Sequence, residues 1–242
     1  MNPDPLASLV SLEGVASAYA ATRDGIDAVL RDRGLRRTPP ETTVEALLRG
    51  AYASAALEGS TSTLEEVREG RGDETAEAAV RVSTELLSLT SVLSRSPLQA
   101  LARIHALAAA GTLADDLVGR PADAAGAERL RGLADLLTAG TSAPALVLAA
   151  VVHAEVATGV PFASHNGIVA RAAERLVLVA RGVDGTSVLV PEAGHLALRA
   201  AYESNLRAYR DGGPAGVHAW LLYAAEAYAA GVEASPVVRP NG

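Results

Sequence analysis

The chain has 242 residues, of which 49% are hydrophobic and only 3% aromatic; it carries a net charge of −7, with arginine but no lysine. That length allows one full core, the Ala, Leu and Val content favours close-packed helices over a β-sandwich, and scattered arginines on an acidic background exclude a nucleic-acid footprint. With no cysteine, a disulfide framework, a thiolate metal site and a cysteine nucleophile are excluded as well.

Residues 1–40 read as an N-terminal helical extension. Acidic residues stand where a signal peptide needs a basic region, and Glu13 and Gly14 interrupt the apolar run, which points to the cytoplasm. Gly14 to Arg33 carries Val15, Ala18, Ile26, Val29 and Leu30 on a broken apolar stripe that ends at Thr38-Pro39-Pro40. Arg31, Arg33, Arg36 and Arg37 read as a solvated helix end. The main domain, 41–233, opens with a helix capped by Thr42 or Thr43 and running to Leu57, where Glu58-Gly59 supplies a stop. Residues 59–73 read as a loop, and 74–93 as a longer helix. Pro97 opens a helix over 98–110, and 111–126, with Gly119, Pro121, Asp115 and Asp116, reads as a surface loop.

Helices follow over 128–138 and 144–158, the second so apolar all round that it belongs in the middle of a bundle. Its strongest apolar stretch, Ala143 to Val152, is far short of the roughly 20 residues that span a bilayer, so no membrane partner is expected. After a non-helical stretch, Val160 to Gly167, come helices over 168–180, 192–210 and 215–231, with Gly212-Gly213-Pro214 as a break and 234–242 as a flexible tail. No repeat or composition shift divides the chain. The fold class is all-α.

The junction at 160–171 carries the chemistry. A loop with Asn166-Gly167 at a helix start offers unpaired N–H groups and the positive end of the helix dipole, a ready anion site. Arg171 and Arg175, four residues apart, share a helix face and are placed to reach a polyphosphate laid over the loop. No metal-ligand set is read from the sequence, because His153 and Glu155 point to different faces.

The stretch HAEVATGVPFASHNGIVAR resembles the signature of the Fic family of AMP transferases, in which a helix carrying His leads to His-Pro-Phe-x-Asp/Glu-Gly-Asn-Gly-Arg-x-x-Arg. Pro161, Phe162, Asn166, Gly167 and Arg171 match it. His153 falls where that family has a structural histidine. Far upstream, Ser54-Ala55-Ala56-Leu57-Glu58-Gly59 is similar to the family's inhibitory motif, Ser/Thr-x-x-x-Glu-Gly/Asn. Gly119 and Arg120 lie in the loop that would be the target-docking flap, and Tyr202 and Trp220 are similar to aromatics of the last helices.

The resemblance covers roughly Val44 to Gly231. It implies a helical bundle with the signature loop between two core helices, Asn166, Gly167 and Arg171 as phosphate-binding residues, and ATP with magnesium as cofactors. It also implies that Glu58 pairs across the nucleotide site with Arg171, and that the partners are a nucleotide with a target protein or a second copy.

The chain departs from the signature at the catalytic positions. Val160 replaces the histidine base, Ser164 the acidic residue that holds magnesium, His165 the first glycine and Ile168 the first arginine. General-base catalysis is typically worth about 10²- to 10⁴-fold, so AMP transfer is expected to be severely weakened. The expectation is a degenerate Fic-fold protein that serves as a nucleotide-binding or regulatory module. Two alternatives stay open: a transferase using His165 as a displaced base, and an antitoxin-like partner of an active relative.

Overall fold

A computed structural model describes residues 4–31 and 38–238. The elements in order are α1 (Ala7–Val10), α2 (Val15–Arg31), α3 (Pro40–Leu57), α4 (Leu64–Arg68), α5 (Glu74–Leu86), a 3₁₀ turn (Leu87–Leu89), α6 (Thr90–Arg95), α7 (Pro97–Ala108) and α8 (Ala124–Thr138). They continue with α9 (Ala145–Gly159), α10 (Asn166–Ala180), α11 (Pro191–Ala197), α12 (Arg199–Asp211) and α13 (Gly213–Glu233). The architecture is all-α; among the described residues the β-type pairing is one isolated bridge between Pro121 and Phe162.

Local chemistry explains most boundaries. Pro40 occupies the first turn of α3, where its missing N–H costs nothing, so the helix starts before the expected threonine cap. Thr63 and Glu66 form a reciprocal capping box that turns part of the expected 59–73 loop into α4. Asp73 caps α5 through the Ala76 N–H, and Asp123 caps α8 through the Gly126 N–H, which shortens the expected 111–126 loop. The single helix read over 74–93 is divided by the 3₁₀ turn, and that over 192–210 breaks at Leu198. Arg33, Arg36 and Arg37 lie outside the described residues.

The core sits around α9 and α10, which pack along each other. Leu146 to Ala154 of α9 are all buried, as the all-round apolar pattern requires. α13 covers this pair together with α2, α11 and α12. On α2 the buried residues Val15, Tyr19, Thr22 and Ile26 form one stripe. In the expected tail, Ser235 and Val237 are buried, and the Ser235 hydroxyl donates to the Val188 carbonyl at 2.7 Å. No described helix is long and apolar enough to cross a membrane.

An alanine-rich core lets helix backbones approach until only glycine fits between them. A Cβ on Gly194 of α11 would collide with the Ala227 carbonyl of α13. Gly132 of α8, by contrast, faces open space. Two glycine-to-alanine changes in helices therefore have opposite signs. Gly194→Ala is expected to destabilise by ~3 kcal/mol, and Gly132→Ala to stabilise by ~0.5–1 kcal/mol through helix propensity. Urea unfolding of the two variants checks both.

Candidate functional site

The site begins where α3 ends. The Ser60 N–H donates to the Ala55 carbonyl and the Gly59 N–H to that of Ala56, a Schellman closure. Gly59 has φ +94, in the left-handed region that a side chain disfavours. This ending leaves Glu58 as the last residue of the turn and throws its side chain across to the start of α10.

There it meets Arg171. The Arg171 Nη2 donates to Glu58 Oε1 at 2.8 Å and to the Ser54 carbonyl at 3.1 Å; Nε donates to the Ser54 hydroxyl at 2.9 Å, and Nη1 to the Tyr202 hydroxyl at 3.0 Å. The guanidinium side chain is 1% exposed and the Glu58 side chain 34%. Gly167 makes this possible, because a Cβ there would collide with the Glu58 carboxylate and lie 3.2 Å from Arg171 Nη1. The carboxylate thus sits over the first turn of α10, where three N–H groups precede the first helical acceptor pair, Val169 to His165.

The loop before α10 holds its shape through Asn166, whose Oδ1 accepts from the Phe162 N–H at 3.0 Å and whose Nδ2 donates to the Phe162 carbonyl at 2.8 Å. That side chain is committed to the loop, so what Asn166 offers an anion is its backbone N–H. His165 has φ 56, and a left-handed residue followed by helical ones turns successive N–H groups towards one concavity. Its Nδ1 lies 2.7 Å from the Ser164 hydroxyl. Val160 is also left-handed, at φ 44, a strained state for a β-branched residue, and its side chain is exposed. Ile168 is buried.

The segment 111–123, the expected flap, lies against this loop. The Ala122 N–H donates to the Pro161 carbonyl at 2.9 Å, and the Gly119 N–H donates to His105 Nδ1 at 3.0 Å. His105 stacks on Phe162 with ring centroids 4.3 Å apart. Burial pushes its imidazole down to about 4. Arg120, Asp115 and Asp116 are exposed.

Arg175 does not face the loop. Its Nη1 donates to Glu192 at 2.9 Å, while Nε and Nη2 bond the Ser187 hydroxyl and carbonyl at 2.8 and 3.0 Å. Gly50 of α3 leaves the room for this pair. The two arginines share a helix yet serve separate partners, which corrects the expectation that both reach one polyphosphate.

Behind Arg171 lies a polar network. Tyr202, whose oxygen accepts from Arg171, is 3.0 Å from His153 Nε2; His153 Nδ1 is 3.0 Å from Glu174 Oε2. The same carboxylate receives His195 Nε2 at 3.0 Å and the Tyr228 hydroxyl at 2.8 Å, and His195 Nδ1 faces the Tyr223 hydroxyl at 2.8 Å. His153, Glu174 and His195 are fully buried. With the Tyr202 hydroxyl donating inward, hydrogen bonds run from Arg171 to Tyr202 to His153, whose Nδ1 faces Glu174, and His195 and Tyr228 donate to that carboxylate from the other side. Burial opposes ionisation of Glu174, yet the two histidines hold it well below the ordinary carboxylate value. His153 is pushed down to about 4 by burial, so it stays neutral.

Solved structures share this architecture. A Fic family protein from Desulfovibrio desulfuricans G20 aligns with TM-score 0.73 at 20% identity, over 93% of this chain and 74% of that one. The chain adopts the Fic fold. A fragment of Fic-1 from C. elegans aligns with TM-score 0.69 at 18% identity, over 95% of this chain and 73% of that one. At these identities the likeness shows the Fic fold alone. No protein-family model and no curated protein matches the chain.

Sequence reasoning missed His105, Glu174 and His195. The available signal was charge inside an apolar helix: Arg171, Glu174 and Arg175 could be seen to need partners, but spacing did not say which.

A neutral buried histidine carries a pH dependence. The His153 pKa lies below its unfolded value near 6.5, so the unfolded chain binds more protons between pH 4 and 6.5, and stability falls as pH drops through that window. From pH 7 to pH 5 the loss from His153 is on the order of 2 kcal/mol, and His105 acts in the same direction. Urea midpoints at pH 7, 6 and 5 check this; equal midpoints would contradict it.

Proposed function

We propose that this Fic-fold chain binds a phosphate-bearing ligand, a nucleotide above all, at the start of α10, and works as a regulatory module rather than an efficient AMP transferase. The observation that carries this reading is the Glu58 carboxylate held at 2.8 Å by Arg171 directly over Gly167. A carboxylate in that position is itself an anion at a helix N-terminus, and it occupies the place a phosphate oxygen would take.

Donor accounting supports a gate. A guanidinium has five N–H groups, and Arg171 spends three on Ser54 and Tyr202 and one on Glu58. One donor on Nη1, beside Gly167, is left. Taking Glu58 away frees a second donor while Ser54 and Tyr202 still hold the arginine in place.

Transfer to a target is disfavoured by the groups present. Val160 has no proton acceptor. Ser164 supplies no carboxylate for a divalent cation, its hydroxyl is taken up by His165, and Glu58 is bound to Arg171, so the residues do not fit a magnesium site of the implied kind.

Isothermal titration of the protein and of Glu58→Gly with ATP, with and without magnesium, tests the reading. ATP is expected to bind the variant at least about tenfold more tightly, equivalent to ~1.4 kcal/mol, and with little help from magnesium. A folded variant that ignores ATP contradicts it.

A further inference from the structure

One contact at the site is not used by anion binding. The Ser164 hydroxyl lies 2.7 Å from His165 Nδ1, and both side chains are partly open to solvent. His165 is fixed by its left-handed backbone at the N-cap of α10, so the ring meets the serine from a defined direction. We infer that Ser164 and His165 are a nucleophile and base pair, and that the loop takes a phosphorus-containing group from a nucleoside triphosphate onto its own serine.

The geometry supplies three of the parts such a reaction needs. A hydroxyl hydrogen-bonded to an imidazole nitrogen is the pairing of an activated nucleophile with its base. Partial burial pushes His165 down from its ordinary value, so the ring is neutral and able to accept a proton near pH 7. Glu58, Glu74, Arg81 and His105 are the charged and titratable groups around it. The N–H groups of residues 166–168, which follow the pair in the chain and precede the first helical bond of α10, can meet charge that develops on phosphorus oxygens.

In the step, Ser164 Oγ attacks phosphorus and its proton passes to His165 Nδ1. The Oγ–P bond forms as the bridging P–O bond breaks, and pyrophosphate or the nucleoside diphosphate leaves with the electron pair. The imidazolium then returns its proton to the leaving group or to solvent. Nothing is oxidised or reduced, and the product is a serine phosphate ester on the loop. No metal enters the step. A plain structural contact between the two side chains would tie the loop together without making the serine reactive.

The inference rests on the phosphate site proposed above for its triphosphate substrate, but the reactivity of the pair can be tested apart from it. A fluorophosphonate probe needs no nucleotide site: Oγ–P forms, P–F breaks and fluoride leaves. Intact-protein and peptide mass spectrometry are expected to find one probe adduct, on Ser164, absent from Ser164→Ala and formed at least tenfold more slowly in His165→Gln. Circular dichroism checks that both variants are folded. In the Glu58→Gly protein, ATP labelled at the α- or the γ-phosphate is expected to leave label on the same serine, and the label retained identifies the bond broken.

ATP that binds in titration while neither reagent modifies Ser164 overturns the pair and leaves the phosphate site standing. Labelling that survives Ser164→Ala, or is as fast in His165→Gln, overturns it equally. A probe adduct on Ser164 with no binding or transfer from ATP supports the pair and removes the triphosphate as its substrate, together with the phosphate-site reading.

Discussion

A guanidinium buried to 1% exposure needs acceptors close by, and much of this molecule is arranged to give Arg171 four of them. Removing a cation from water costs several kcal/mol, which only well-placed acceptors offset. Ser54 supplies two of them from α3, Tyr202 one from α12 and Glu58 the charge. The arginine therefore ties α3, α10 and α12 to one point. Because Glu58 is one-third exposed and the other acceptors are buried, it is the partner most easily displaced.

The network behind Tyr202 gives this point its rigidity. Tyr202 can face its oxygen to Arg171 only if its O–H points elsewhere, and His153 Nε2, 3.0 Å away, is the ring nitrogen placed to accept it. The other ring nitrogen of His153 faces the Glu174 carboxylate at 3.0 Å, and that carboxylate is fixed by His195 and Tyr228. Burial pushes the Tyr228 hydroxyl well above its ordinary value, so it remains a donor. A half-satisfied network in so dry a place would be worse than an apolar core. Here both histidine Nε2 atoms and the Tyr202, Tyr223 and Tyr228 hydroxyls are hydrogen-bonded, and His153 Nδ1 lies 3.0 Å from Glu174 Oε2 without hydrogen-bond geometry.

Much of the architecture was legible in the sequence for simple reasons. α9 is apolar on all faces and could only be central, and Pro40, Pro97 and Gly59 punctuate helices through backbone chemistry that neighbours do not change. The Thr63 and Glu66 capping box leaves a local signature too, but the polar, glycine-containing run around it reads as a loop, and α4 was missed. The break at Leu198 was not legible, since neither glycine nor proline marks it. The pairing of Glu58 with Arg171, 113 residues apart, has no local signature and came only from resemblance to a known motif. The separate fates of Arg171 and Arg175 lie beyond sequence spacing altogether: one face of a helix met two different neighbours, with Gly50 opening room for the second pair.

On the proposed reading, Ser54 and Tyr202 hold Arg171 in place whether or not Glu58 is there, so that removing Glu58 uncovers a formed anion site. Backbone amide shifts of residues 163–171, followed by NMR as pyrophosphate is added to the protein and to Glu58→Gly, test it most directly. Saturable shifts confined to that loop and first turn are expected in the variant, with little change in the unaltered protein. Equal responses in the two, or none in a folded variant, would contradict it.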